Sequence, residues 1–173
     1  GYSPKFRNDL VVNNLITSAI AFEEIKVMSD GTPWRPLIDV RDLAKIFVKF
    51  LEIDKKKINK KIFNIGFKEN NFQVKDIVSK ISQHLPDCKI VYTGEHGNDS
   101  RSYKVDFSKF HHLLPSLKQQ WTLEKSIKDL IIRLKEEHFG EEDFLKDNFT
   151  RLTVLKELIS QKRLNNELFW IKK

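Results

Sequence analysis

Asp30-Gly31-Thr32-Pro33-Trp34-Arg35-Pro36-Leu37-Ile38-Asp39-Val40-Arg41-Asp42-Leu43-Ala44 is the stretch from which the rest of the chain can be read. It opens on a turn, since Asp-Gly after Ser29 closes the short apolar run Ile25-Lys26-Val27-Met28, which reads as a strand. Leu37-Ile38-Asp39-Val40 reads as a second short strand. Leu43, Ile46, Phe47, Phe50 and Leu51 then recur at i, i+3, i+4, i+7 and i+8, which predicts an amphipathic helix burying that face. Asp42 falls in its first turn, where a carboxylate complements the helix dipole.

Upstream, Val12, Leu15, Ile16, Ala19 and Ile20 predict a helix from Asn8 to about Phe22. Downstream, Lys61-Ile62-Phe63-Asn64-Ile65-Gly66 reads as a compact strand, and Val74, Ile77, Val78, Ile81 and Leu85 as a helix stopped by Pro86. Ile90-Val91-Tyr92 is a further strand. A polar loop, Gly94-Glu95-His96-Gly97-Asn98-Asp99, leads into Arg101-Ser102-Tyr103-Lys104-Val105-Asp106, where side chains can project toward a ligand. A short helix around Phe107 to Leu114 follows, and Thr122 caps a long helix with Leu123, Ile127, Leu130, Ile131 and Leu134 on its apolar face. Beyond Gly140 the composition turns acidic, then helical with Leu152, Leu155 and Leu158 on one face, ending in Leu168-Phe169-Trp170. The expected organisation is residues 1–138 as one unit and 139–173 as a helical tail. Strands alternating with helices indicate an α/β fold, whose few short strands would leave bare sheet edges unless another part completed it.

The 173 residues can bury a core, and 40% hydrophobic with 32% charged residues suits a folded globular chain. No apolar run approaches the length that spans a bilayer, and the start has no apolar segment for export, so a cytoplasmic location is expected. The single Cys88 excludes an internal disulfide and any multi-cysteine metal site. A net charge of +7 raises nucleic-acid binding, but most bases are interleaved with acids, as in Lys135-Glu136-Glu137. Lys55-Lys56-Lys57 with Lys60-Lys61 reads as a solvated loop, and no nucleic-acid partner is expected.

The opening stretch resembles the D-G-x-x-x-R-x-x-x-x-V-x-D-x-A signature of the extended short-chain dehydrogenase/reductases, the NAD-dependent nucleotide-sugar epimerases and dehydratases. Asn14-Leu15, Phe63-Asn64-Ile65-Gly66 and Asp99-Ser100-Arg101-Ser102-Tyr103 resemble three further elements, in the family's order and at about its spacing. The resemblance covers roughly Gly1 to Lys135. The Arg151-Leu152 to Leu168-Phe169-Trp170 pattern is similar to the endings of some members.

The resemblance implies the carboxyl-terminal, substrate-binding part of an extended Rossmann-type fold, with NAD bound mainly by an amino-terminal half. Neither the Gly-rich turn nor Tyr-x-x-x-Lys is present: the residues four beyond Tyr2, Tyr92 and Tyr103 are Phe6, His96 and Phe107. No catalytic or cofactor-binding residue is therefore assigned, and this chain alone is expected to be inactive. By the same resemblance Asn14, Leu15, Lys26, Met28, Arg35 and Arg101 line the site for a nucleoside-diphosphate sugar, the two arginines meeting the phosphates with planar forks of donors.

Each assignment has a structural competitor. Arg35 and Arg101 could form ion pairs with Asp39 or Asp99, Asn13 competes with Asn14, and the Lys26-Val27-Met28 segment could simply be an edge strand on the core. Trp34 reads as core filling rather than base stacking, Asn64 as bonded to backbone, and His96, His111 and His112 lack a metal-site spacing. The functional expectation is an NAD-dependent epimerase or dehydratase parent, with a possible homodimer. A non-catalytic module or subunit completing a partner chain is the alternative.

Overall fold

The structure, a computed structural model, describes residues 1–94, 101–145 and 149–171. Helix α1 (Val11–Phe22) leads through Glu23, in the left-handed conformation, into strand β1 (Glu24–Val27). Strand β2 (Trp34–Pro36) is followed by α2 (Val40–Leu51) and the short α3 (Lys55–Ile58). Strand β3 (Asn71–Gln73) runs into α4 (Val74–Ser82), and β4 (Lys89–Tyr92) follows. Helices α5 (Ser108–Leu113), α6 (Leu123–Glu136), α7 (Glu141–Leu145) and α8 (Arg151–Ser160) complete the order.

Among the described residues the strands form two small sheets rather than one. β1 pairs parallel with β4, setting Ile25 opposite Ile90, and β2 pairs antiparallel with β3, setting Arg35 opposite Phe72. The parallel pair needs a crossover, which includes α4. α1, α4 and α6 close over it, burying Ile16, Ile25, Ile77, Ile81, Ile127 and Leu130 completely. Each helix contributes a stripe at 3.6-residue spacing. α4 also carries a capping box between Gln73 and Asp76, and Thr122 Oγ1 accepts from Lys125 N to start α6. A second, smaller cluster gathers Ile46, Phe67 and Phe110, with Phe50 stacked on Phe110.

Four local expectations change. Leu37 to Val40 is not a strand: Leu37 N donates to Asn70 O, and Asp39 becomes the N-cap of α2 by accepting from Arg41 N at 2.9 Å. Competition from a capping carboxylate ends the extended run at Pro36. Lys61 to Gly66 forms no strand either, because no described strand lies beside it. Its polar groups are met singly instead, with Lys109 Nζ donating to Ile62 O at 2.6 Å and Asn64 Nδ2 to Asp106 O at 3.3 Å. Gly66 is held there by Phe107, whose ring lies 2.4 Å from where a Cβ would be. Lys55-Lys56-Lys57 begins α3, capped by Asp54, and is solvated as expected although helical.

The face of α2 also differs from its pattern. Ile46 is buried, but Phe47 is 67% and Leu51 86% exposed, and Ile62 on the neighbouring segment is 84% exposed. The core clusters of this chain do not cover those residues. β3 was not anticipated, since Asn71-Phe72-Gln73 has little strand propensity and takes its conformation from β2. The turn at Gly31 forms as read, with φ at +82° and its carbonyl accepting from Lys75 N.

Candidate functional site

A cavity of about 830 Å³ lies between the start of α1, the end of β1, β2 and the approach to α6. That volume is within the range of sites for drug-sized ligands. Asn14, Leu15, Lys26, Met28 and Arg35 all border it. The helix reaches the cavity with its amino-terminal end, where Leu10 is the N-cap and supplies no side-chain capping bond. Leu10, Val11 and Val12 line the wall there, so the positive end of a 12-residue helix faces the space.

The side chains at this end divide their roles. Asn13 is buried and its Nδ2 donates to Arg7 O at 2.9 Å, which holds the incoming segment. Asn14 is half-buried and its backbone N–H donates to Leu10 O. Leu15 is 4% exposed and belongs to the core beneath the cavity. Lys26 and Met28 are exposed at the end of β1, while the alternating Ile25 and Val27 point into the core. Lys26, Val27 and Met28 all reach the cavity wall where β1 ends.

Arg35 sits on β2 with its Nη1 donating to Trp34 O at 2.9 Å and to Arg101 O. Residues 101–103 run along this strand: Trp34 N donates to Ser102 Oγ at 3.0 Å and Tyr103 N to Trp34 O at 3.3 Å. Arg101 is exposed and is not a wall residue of the cavity, but its backbone adjoins the Arg35 guanidinium. The two arginines are neighbours rather than opposite jaws. Asp99 and Ser100 of the same motif, and His96, fall outside the described residues. Trp34 is not core filling: it is half-buried, with Lys104 Nζ 3.7 Å above its ring.

Asp39, considered as a partner for Arg35, is instead bonded to Arg41, with Nε to Oδ1 at 2.8 Å and Nη2 to Oδ2 at 2.9 Å. Ser126 Oγ donates to the same carboxylate at 2.6 Å, and Arg41 Nη1 continues to Asp129 at 2.8 Å. Burial alone would raise the Asp39 pKa, but the bonds from Arg41 and Ser126 outweigh it and hold it at about 2. Arg41 also lies 3.1 Å from the centre of the Trp121 ring. Asp42 lies in the first turn of α2 as expected, and it is buried, accepting from Gln120 N at 3.1 Å and Trp121 N at 2.8 Å. It fixes the segment that brings Gln119 and Trp121 to the cavity wall. Those two, nearly 80 residues from Asp42, and Phe72, set opposite Arg35 by strand pairing, were missed by sequence reasoning, since no local pattern marks such distant partners.

Other chemistry finds little support. Among the described residues no His, Cys, Asp and Glu group could hold a metal ion. His112 Nδ1 lies 2.7 Å from Ser108 O, and the His111 ring packs on Phe67 and Phe110. Cys88 Sγ donates to Ala19 O at 3.4 Å, and burial pushes its thiol pKa up, aided by Glu23 and Asp87. Cys88 should therefore alkylate several-fold more slowly than a free thiol at pH 7.5, about threefold or more. Intact-mass kinetics with iodoacetamide check this, and equal rates would show that the site opens. Gly31 is packed against Tyr92, whose ring lies 2.8 Å from where a Cβ would be, so this turn is a closed corner of the fold.

Residues 1–66 match the NAD dependent epimerase/dehydratase family. No curated protein matches the chain in sequence. Among solved structures, the chain resembles an NAD-dependent NDP-hexosamine 5,6-dehydratase of tunicamycin biosynthesis, with 16% identity and a TM-score of 0.65 over 78% of this chain and 43% of that one. It resembles UDP-glucuronic acid 4-epimerase from Bacillus cereus, solved with UDP-glucuronic acid and NAD, with 24% identity and a TM-score of 0.62 over 77% and 43%. L-threonine dehydrogenase from Clostridium difficile gives 21% identity and a TM-score of 0.62 over 75% and 41%. The chain spans about two fifths of the length of these structures. The shared fold is thus the α/β fold of part of such enzymes.

Proposed function

We propose that this chain, whose first 66 residues match the NAD dependent epimerase/dehydratase family, holds the diphosphate of a nucleoside-diphosphate sugar. The reading rests on one observation: Arg35, whose guanidinium bonds the Arg101 backbone, and the amino-terminal end of α1 border one cavity. Solved structures of this fold include an L-threonine dehydrogenase as well as sugar-nucleotide enzymes, so fold does not select the substrate. An arginine and a helix start on one cavity, with Arg101 next to Arg35, favour a multiply charged anion, with Asn14 as a neutral donor. Leu15, Lys26 and Met28 would border the rest of the ligand.

The parent reaction, in this reading, is NAD-dependent oxidation of a sugar hydroxyl followed by change at the keto-sugar. NAD would accept the hydride, and this chain would contribute only binding and orientation. Residues 1–138 would be the substrate-binding part and 139–173 an appended tail. The exposed face of Val40, Phe47, Val48, Leu51 and Ile62 would then be covered by an amino-terminal Rossmann half or a second copy of the chain.

Calorimetric titration of UDP, GDP, ADP and dTDP against the longest native form of the protein tests this. Arg35→Ala and Arg101→Ala should each weaken the binding nucleotide by about 10- to 150-fold, the worth of a charge-assisted bond of ~1.5–3 kcal/mol. Unchanged affinity in both variants would remove the diphosphate assignment and leave a non-catalytic module as the better description.

A further inference from the structure

The wall of the cavity contributed by Asp9, Leu10, Asn13 and Asn14 lies at the amino-terminal end of α1, whose later turns pack on β1. The segment leading into α1 continues that wall through Asp9 and Leu10. That segment is tied on its inner side, where buried Asn8 accepts from Thr17 Oγ1 and Arg7 O accepts from Asn13 Nδ2. Arg7 also pairs with Asp9 through two bonds, at 2.9 and 2.6 Å. On its outer side the tie comes from the far end of the chain. Asn8 N donates to Phe149 O at 3.0 Å, and the Phe149 ring meets Phe6 edge-on at 6.1 Å and Phe139 at 5.8 Å. Phe6 is buried and stacks on Tyr2.

We infer that Phe149 is a positioning residue for the cavity, strapping residues 6–9 against α1 so that the start of that helix keeps its place in the wall. The tail grips α1 at its other end as well, where Phe144 of α7 packs edge-on against Phe22 at 5.0 Å. Only the first of these two grips adjoins the cavity. A residue 4% exposed such as Asn8 cannot readily exchange its N–H partner for water, so loss of the Phe149 contact frees the segment rather than rehydrating it in place. The effect on ligand rests on the diphosphate reading above; the effect on the segment does not.

Amide hydrogen exchange on the full chain separates the two. In Phe149→Ala the amides of residues 8–14 should exchange about tenfold faster or more, while those of α6 stay within about twofold. Phe144→Ala should leave residues 8–14 unchanged, and Phe149→Leu, which keeps apolar bulk, should fall between wild type and Phe149→Ala. UDP should bind Phe149→Ala about fivefold more weakly or worse than wild type. Unchanged exchange at residues 8–14 would overturn the inference, as would equal loosening of every helix in both Phe149 variants. Faster exchange with unaltered UDP affinity would also overturn it. Should wild type fail to bind any nucleoside diphosphate while the exchange pattern appears as expected, the strap stands and the diphosphate reading fails.

Discussion

Leu130→Ala should lower the stability of this chain by about 4 kcal/mol. Leu130 is fully buried at the centre of the cluster where α6 meets α1 and α4. Truncating it removes the transfer free energy of three carbons and leaves a cavity that three packed helices cannot close. Leu51→Ala is the matched contrast. Leu51 has the same kind of helical periodicity, yet at 86% exposure its truncation should change stability by less than about 0.5 kcal/mol. Urea midpoints at constant slope measure both. A cost for Leu51→Ala approaching that of Leu130→Ala would mean that the α2 face is buried in solution, by self-association or otherwise.

Asp39→Ala should cost about 3 kcal/mol, by two routes. It removes the N-cap of α2, worth about 1 kcal/mol. It also strips Arg41, whose side chain is 24% exposed, of its bidentate partner and leaves it paired through Nη1 to Asp129. The pH dependence follows from the depressed pKa. In the folded chain Asp39 titrates at about 2 against an ordinary 3.8, so the folded state holds its proton less tightly than the unfolded one. Its contribution, on the order of 2 kcal/mol, is fully present above about pH 4 and fades as pH falls toward 2. Asp39→Asn should flatten that acid limb while sparing much of the cap. Equal acid limbs in wild type and Asp39→Asn would show that other carboxylates govern acid unfolding.

The opening stretch shows where sequence reading succeeds and where it stops. Its turn at Gly31 and the helix from Leu43 onward are both present, because a left-handed glycine and a helical stripe are specified by adjacent residues. The same holds for α1, α4 and α6, whose apolar stripes lie in the main core. Yet the fate of Asp39 could not be read. A carboxylate before a helix can cap it, pair with Arg35 or face solvent, and the choice fell to Arg41, Ser126 and Asp129, two of them nearly 90 residues away.

The candidate site divides in the same way. Asn14, Lys26, Met28 and Arg35 reach the cavity from motifs visible in the chain, and Arg101 adjoins it through its backbone. Gln119, Trp121 and Phe72 carry no such signal, since Asp42 and the β2–β3 pairing bring them there. The sequence by itself determined helices α1, α2, α4 and α6, the turn at Gly31, the strands β1 and β4, and the match of residues 1–66 to the NAD dependent epimerase/dehydratase family. Only the tertiary structure decided that residues 61–66 stay out of a sheet, that α2 leaves an apolar face uncovered, and that the tail returns to the start of α1. The reason is physical: helical periodicity and turn chemistry are satisfied within a few residues. A strand, a buried ion pair and a cavity wall each require a partner whose distance along the chain leaves no mark on local pattern.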